Sequence, residues 1–280
     1  SSSSEPPVYS SLRVLVPEAP GSDTLGASPL TLDVSNITQG YFVAQSDSAD
    51  LVTSLQITAP TGVLYSYFIE PGENAVIPFT EGDGDYTVVG YQQIQGDQYA
   101  ALYSEILTVE LENDFLPFLY PNQYVNFSPD SEASKLALSM VSEDTADVDA
   151  LKQIYNYVVN NLTYDYDKAE TVETGYLPDV DETLSTKTGI CFDYAALTTA
   201  MLRSCDIPCK LQIGYTGDIK HAWIDVYIRS KGWVTGAVSF NGDSWSLMDP
   251  TFDSSADSDD TEAIQDYIGN ADNYTVQFTR

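Results

Sequence analysis

The sequence predicts an α+β protein in which an immunoglobulin-like β-sandwich precedes a domain of helices packed on an antiparallel sheet. Three observations lead to this prediction. Short alternating apolar runs, separated by Gly, Pro and Asp turns, fill residues 11–112. Apolar residues at helical spacing follow in residues 131–204, and strand-like runs return after residue 209. Helices that come before antiparallel strands are typical of the α+β class.

The N-terminal part divides into a leader and a β domain. Residues 1–10 begin with four serines and contain two prolines, which predicts a flexible polar leader. The leader is either the stub left after a secretion or lipid-anchor signal is removed, or an arbitrary boundary. The runs predicted as strands are Leu12–Val16, Leu30–Val34, Gly40–Ala44, Ser54–Thr58, Tyr65–Ile69, Tyr86–Tyr91 and Glu105–Leu111. About seven such strands without a catalytic cluster favour an immunoglobulin-like spacer or binding module.

The C-terminal part, residues 131–280, follows a connector rich in Pro and aromatic residues at 113–130. Its apolar content predicts that the connector packs on a domain. Helices are predicted at Ser131–Ser142, Thr145–Asn160 and Cys191–Ser204, with Gly175–Thr188 irregular between the last two. Strands are predicted at Lys210–Tyr215, His221–Arg229, Gly232–Phe240, Ser244–Met248 and Tyr274–Phe278.

Composition excludes several classes of function. The chain has 11 Lys and Arg against 42 Asp and Glu, so its net charge is −31. A surface this acidic argues against binding to nucleic acid or to an anionic membrane. No apolar run is long enough for a transmembrane helix, so membrane insertion is not expected. Three cysteines and one histidine make neither a disulfide framework nor a zinc site.

Cys191 is the first candidate for a chemical role. It begins the third predicted helix, where the helix dipole and unpaired N–H groups are expected to lower the thiol pKa and stabilise a thiolate. The N–H of Cys191 is a candidate oxyanion donor, and Gly189 permits the turn before it. From this segment alone, a buried structural cysteine on an Ala-rich helix is about equally supported.

His221 and Asp249 supply the partners that a thiol nucleophile needs. His221 is the only histidine in the chain and the natural general base near neutral pH. In its strand, His221 and Trp223 share the polar face, which is expected to line a cleft. Asp249 ends a strand before Pro250, where it can hold the far imidazole nitrogen. The alternatives are that His221 has no catalytic role and that Asp249 only initiates a turn.

In this order along the chain, the three residues resemble the transglutaminase-like superfamily of papain-like thiol enzymes. The matching stretches are GICFDYAALTTAMLRSCDIPCKLQIGY, HAWIDVYI with the following KGW, and WSLMDPTF, within residues 145–252. The resemblance implies a catalytic triad in which Cys191 is the nucleophile, His221 the base and Asp249 the orienting group. It also implies a helix-borne cysteine packed against a sheet that carries the other two. The overall layout resembles secreted or lipid-anchored bacterial members.

Two features depart from the family pattern or stay open within it. Asp206 stands where the family commonly has Gly at the end of the nucleophile helix, and Asp tolerates the left-handed cap conformation. Cys205 and Cys209 flank that turn, and buried thiols are favoured over a local disulfide. Tyr164 is the favoured second oxyanion donor, with a packing role as the alternative. Asp193 and Tyr194 are expected, like Trp223, to line the cleft.

No cofactor is expected. The acidic run Asp253–Glu262 lacks the spacing of a calcium-binding EF-hand loop, and a mobile polar loop is favoured over a loose calcium site. The expected partner is a protein or peptide substrate, at an extracellular or cell-surface location. The expected activity is hydrolysis through a Cys acyl-enzyme, as in a cysteine protease or amidase. The alternatives are a protein cross-linking transglutaminase and a non-catalytic binding or scaffold protein. The oligomeric state is left open.

Overall fold

The computed structural model describes residues 5–9, 11–229, 231–241, 244–247 and 275–280. The chain forms two compact units. The first comprises the residues up to Val8 together with Val16–Gln123, and the second comprises Tyr9–Leu15 together with Tyr124–Arg280. The division after Gln123 falls within the connector predicted at residues 113–130.

The first unit is built from eight strands in two four-stranded antiparallel sheets. Its strands are β1 Thr24–Ala27, β2 Leu30–Asp33, β3 Tyr41–Ser46, β4 Thr53–Thr58, β5 Leu64–Ile69, β6 Asn74–Pro78, β7 Gly84–Gln95 and β8 Gln98–Val109. The sheet orders are β1-β2-β3-β6 and β5-β4-β7-β8. Residues alternate between exposed and buried along β5, as the period of a half-buried strand requires.

One predicted strand of this unit is wrong, and two strands were not predicted. Leu12–Val16 forms no strand, although its apolar pattern is clear. Val14 is buried in the hydrophobic core of the second unit, so the pattern reflects packing of an extended segment. The short strands β1 and β6 lie in turn-rich sequence, where pairing with the neighbouring strands β2 and β3 outweighs local signals.

The second unit begins with helices. They are α1 Glu132–Met140, α2 Asp147–Asn161, α3 Tyr166–Thr171, α4 Val180–Thr186 and α5 Cys191–Ser204. The three longest confirm the predicted helices, but α3 and α4 were not predicted. Each is too short for a recognisable apolar stripe. Their sequence signal is the N-cap, since the carboxylates of Asp165 and Asp179 accept backbone N–H groups of Lys168 and Glu182, each at 3.0 Å.

Among the described residues, a five-stranded antiparallel sheet completes the unit. The strands of the unit are β9 Thr163–Tyr164, β10 Thr188–Gly189, β11 Cys209–Thr216, β12 Ile219–Ile228, β13 Gly232–Asn241, β14 Ser244–Leu247 and β15 Thr275–Thr279. The last five form the sheet, in the order β14-β13-β12-β11-β15. β9 and β10 form a separate parallel pair. Helices followed by an antiparallel sheet confirm the predicted α+β class.

Helix α5 lies at the centre of this unit. Helices α1, α2 and α4 contact it, and so do strands β11, β12 and β13. Every residue from Asp193 to Ser204 is therefore buried, not only one apolar face. Because its flanks are fixed on all sides, the helix holds its first residue, Cys191, at a defined position. None of the helices in the described part of the chain is long and apolar enough to cross a membrane.

The end of α5 contains the predicted left-handed residue. Asp206 has a φ of 59°, in the left-handed region that Asp tolerates better than most residues. Its side chain is buried, and this burial raises the pKa of the carboxyl to about 6, although the charges of Arg229 and Arg13 partly offset it. Cys205 and Cys209, on either side of the turn, are buried free thiols, which confirms the favoured prediction.

Asp206 should make the stability of the protein fall as the pH rises from about 4 to about 6. The raised pKa means that the folded state binds more protons than the unfolded chain in this range. Asn tolerates the same backbone conformation but cannot ionise. Asp206→Asn should therefore raise the free energy of unfolding by about 1–3 kcal/mol at pH 7.5 and change it little at pH 4. Urea denaturation at both pH values measures this. The exposed Asp218→Asn is the control, and an equal effect of Asp206→Asn at both pH values would contradict the prediction.

Candidate active site

Cys191 is the first residue of α5, directly after the extended N-cap residue Ile190. Its side chain is partly exposed, and its sulfur lies near the backbone N–H groups of Phe192 and Ala222. Burial raises the thiol pKa more than these N–H groups lower it, so the net pKa lies above its ordinary value. The predicted lowering is therefore wrong for the free protein. Loss of hydration at the sulfur outweighs the helix terminus.

His221 lies in β12 next to Ala222, whose N–H approaches the Cys191 sulfur. The histidine is buried, with an exposed fraction of 6%. Gly214 of β11 lies opposite it in the sheet. The other face of β12 carries Ala222 and Ile224, which belong to the hydrophobic core with α5. The sheet thus brings the segment that contains His221 to the N-terminal end of α5.

The polar face of β12 is also buried. Trp223 and Asp225, which share this face with His221, have exposed fractions of 1% and 9%. The Asp225 carboxylate accepts the backbone N–H of Gly236 at 2.9 Å and the side-chain amide of Gln212 at 3.1 Å. Burial raises the pKa of Asp225, and these two bonds lower it by less. Both carboxylate oxygens of Asp225 thus accept hydrogen bonds from residues of the neighbouring strands, so this side chain stabilises the sheet.

Asp249 lies outside the described residues, as does the acidic run Asp253–Glu262. The described strand nearest to Asp249 is β14, which pairs with β13 and not with β12. The register aligns Trp245 with Phe240 and Leu247 with Val238. In the part of the chain that the structure describes, no group of three His, Cys, Asp or Glu side chains is placed to hold a metal ion.

Tyr164 lies beside the turn that leads to Cys191. Strand β9 pairs with β10, which aligns Tyr164 with Gly189, two residues before Cys191. The N–H of Asp165 donates to the Gly189 carbonyl at 2.9 Å, and this bond fixes the turn. The Tyr164 ring lies 4.9 Å from that of Tyr166, centroid to centroid. This position keeps both the oxyanion role and the packing role open for Tyr164.

Tyr194 is packed inside the unit. Its side chain is fully buried, and its ring stacks on that of Trp245 with a centroid distance of 3.9 Å. Burial raises the pKa of Tyr194 to about 12. In the free protein, neither Tyr194 nor Trp223 presents a surface to solvent, so a role in lining the cleft stays a prediction for both.

Asp193 is fully buried and supports the start of α5. One carboxylate oxygen accepts the N–H of Ile190 at 2.9 Å and lies 2.9 Å from the Lys168 ammonium. The other accepts the hydroxyl of Tyr176 at 2.5 Å. Gly189 leaves room for this carboxylate, because a Cβ atom there would lie 2.7 Å from the Asp193 Cβ atom.

Lys168 and Tyr176 were not among the candidate residues from the sequence. Lys168 lies in α3, which was not predicted, and Tyr176 lies in the segment predicted to be irregular. The one sequence feature that indicates such partners is Asp193 itself. An acidic residue at the third position of a helix commonly reaches back to the N-cap N–H, and its burial then requires further donors.

Comparison with known proteins identifies the segment that contains these residues. Residues 134–236 match the family model of the transglutaminase-like superfamily. The matched segment lies within the second unit and is similar to this superfamily. The match includes Cys191 and His221 and ends before Asp249. In the matched segment, Cys191 begins the central helix and His221 lies in the neighbouring sheet.

Curated relatives match only parts of the chain. An uncharacterized protein of Bacillus subtilis, YebA, is 24% identical over 183 residues, which cover 57% of this chain and 25% of that protein. The UPF0252 protein MJ1282 of Methanocaldococcus jannaschii is 40% identical over 62 residues, 20% of this chain and 18% of that protein. The matched part thus spans a quarter or less of the length of these relatives.

Two solved structures are similar at 17% sequence identity. One is a proposed cysteine protease from Cytophaga hutchinsonii, with a TM-score of 0.37 over 72% of this chain and 78% of that one. The other is a TGase, with a TM-score of 0.30 over 47% of this chain and 33% of that one.

Proposed function

We propose that the protein is a thiol-dependent hydrolase that cleaves amide bonds in proteins or peptides through a Cys191 acyl-enzyme. The observation that carries this proposal is the position of Cys191. It begins a fully packed helix, and its sulfur lies beside the N–H of Ala222, the neighbour of His221. Thiol acyl transfer needs a base within reach of the nucleophile, and this position brings the strand segment that contains His221 close to the Cys191 sulfur.

The proposed reaction assigns a role to each group. His221 takes the thiol proton as the sulfur attacks the carbonyl carbon, so a thiolate need not accumulate beforehand. This fits the raised pKa of Cys191, where burial disfavours a free thiolate. Backbone N–H groups at the start of α5, with Tyr164 as a candidate second donor, stabilise the oxyanion. The imidazolium then protonates the leaving amine, and water releases the acyl group.

Hydrolysis is preferred to protein cross-linking because Cys191 is partly exposed, which leaves the acyl-enzyme open to water. A transglutaminase uses the same intermediate but transfers the acyl group to an amine. Asp249 is proposed to orient His221. The acidic surface and the β domain support an extracellular or cell-surface setting, which stays part of the proposal.

Iodoacetamide should label Cys191 in preference to Cys205 and Cys209. The last two are buried, and burial raises the pKa of each to about 12, so neither thiolate forms near neutral pH. Cys191 is the most exposed of the three. Peptide mapping after partial alkylation at pH 8 measures the order. Preferential labelling of Cys205 or Cys209 would count heavily against Cys191 as nucleophile.

The reaction products distinguish a hydrolase from a cross-linking enzyme and from a non-catalytic protein. We expect the protein to release peptides from a fluorescein-labelled unfolded protein, with and without excess dansylcadaverine. Incorporation of dansylcadaverine without peptide release would identify a cross-linking enzyme instead. If neither product forms while Cys191 is still alkylated first, the protein is a non-catalytic member of the fold for such substrates.

A further inference from the structure

The carboxylate of Asp193, two residues after Cys191 in the first turn of α5, is held by three segments of the chain. Its donors are the N–H of Ile190 in the turn before the helix, the hydroxyl of Tyr176 and the ammonium of Lys168 in α3. Asp193 has an exposed fraction of 0%. A buried carboxylate that lacks such donors is strongly destabilising, so these three contacts explain why it can lie here.

Helix α3 and the segment around Tyr176 are both bonded to the start of α5. Asp165, which caps α3, donates its backbone N–H to the carbonyl of Gly189. Lys168, one turn later, reaches Asp193 and also lies over the ring of Tyr176, 4.6 Å from its centroid. Tyr176 in turn contacts the ring of Phe192, next to the nucleophile, at 6.4 Å between centroids. One cation thus joins three segments around Cys191.

Asp193 also acts on Cys191 through its charge. The two residues are separated by one position in the first turn, and the negative charge of Asp193 disfavours a second negative charge on the sulfur. Lys168 carries the opposite charge at 2.9 Å from the carboxylate. Burial lowers the pKa of Lys168, but its bonds to Tyr176 and Asp193 outweigh this and raise it, so the ammonium stays charged.

We propose that Lys168 is a positioning residue that neutralises the Asp193 carboxylate and thereby sets the reactivity of the Cys191 thiol. The inference deepens the proposed function, because it concerns the same nucleophile. Titratable groups near Cys191 in the described residues come from five segments. They include Asp193 in α5, Lys168 in α3, Tyr164 in β9, Tyr176 before α4 and His221 in β12. Burial and then the bond to Asp193 raise the pKa of Tyr176 to about 12, so it stays neutral near pH 8.

The test is the pH dependence of Cys191 alkylation by iodoacetamide, followed by peptide mapping in the full chain. Lys168→Met should move the alkylation profile to higher pH and slow alkylation at pH 7 by about 3- to 10-fold. Asp193→Asn should move it to lower pH, because the repelling charge is gone while Lys168 remains. The double variant should return close to the native profile, and Lys168→Arg should retain it.

Lys135→Met is the matched control. Lys135 forms an exposed pair with Glu132 at 3.5 Å on α1, and its loss should leave the profile unchanged. Circular dichroism checks that each variant is folded. If Asp193→Asn does not fold, Lys168→Met and Lys168→Arg still decide the question. Coincident profiles for Lys168→Met and the native protein would overturn the proposal, and so would shifts of Lys168→Met and Asp193→Asn in the same direction.

The failure of this inference can be told apart from failure of the proposed function. Alkylation requires only a reactive thiol and no substrate amide. Opposite shifts in a protein that hydrolyses nothing would support the role of Lys168 and reject the hydrolase. Peptide release by the native protein, combined with coincident alkylation profiles, would support the hydrolase and reject the role of Lys168.

Discussion

Cys191→Ala should abolish acyl transfer while leaving the protein folded. The thiol is the only group proposed to form the covalent intermediate, so its loss removes the reaction path and not merely one contribution to it. We expect peptide release to fall by a factor on the order of 10⁴ or more. The side chain is partly exposed and begins the helix, so truncation leaves no closed cavity in the core. Release of labelled peptides and the thermal unfolding midpoint measure the two effects.

A matched substitution separates the nucleophile from a general loss of structure. Cys205→Ala removes a thiol from the other end of the same helix, where the side chain is buried. It should lower stability by about 1 kcal/mol and leave the rate constant for peptide release close to native. A Cys191→Ala protein that still releases peptides, or a Cys205→Ala protein that is folded but inactive, would contradict the assignment.

The sequence predicted the start of α5 correctly because the signal there is local. Cys191, Gly189 and the apolar residues that follow lie within one short segment, and the helix begins at Cys191 as predicted. The shift of the Cys191 thiol pKa was predicted in the wrong direction because it depends on non-local packing. The effect of a helix terminus can be estimated from sequence, whereas the loss of hydration at the sulfur depends on how the folded chain buries it.

The same distinction explains the residues that were missed. Lys168 and Tyr176, which hold the buried Asp193 carboxylate, come from segments without a strong sequence pattern and were not predicted. Val14 provides a similar case in the fold. Its apolar run reads as a strand, and only the packing of distant helices shows that it belongs to the core of the second unit.

His221→Ala should reduce the rate of acylation by at least the factor that Asp249→Asn does. General acid–base and orienting groups of this kind contribute factors on the order of 10² to 10⁴. If Asp249 orients the imidazole, the amide of the Asn variant favours the wrong tautomer and the loss falls in this range. Because the two residues would act as a unit, the double variant should be little worse than His221→Ala.

The described strands make the result for Asp249 informative. Strand β13 separates β14 from β12, a distance of roughly 10 Å across two strand spacings. The register aligns Trp245 and Phe240 with Ala222, and Leu247 and Val238 with Ile224. From Ser244 to Leu247, β14 therefore runs away from the level of His221 in the sheet. The described strands do not by themselves bring a partner from this end of the sheet to the imidazole, so the role of Asp249 has to be decided by experiment.

Single-turnover acylation of the Asn variant decides between a catalytic triad and a Cys–His dyad. A fluorogenic peptide ester or amide reports the burst of leaving group, and circular dichroism confirms the fold. In a triad, the burst rate falls at every pH, because a misoriented imidazole cannot accept the thiol proton. In a dyad, Asp249→Asn changes stability slightly and leaves the burst unchanged, while His221→Ala still removes it. An unchanged burst in a folded Asp249→Asn protein would therefore exclude Asp249 from the mechanism and leave His221 as the sole partner of Cys191.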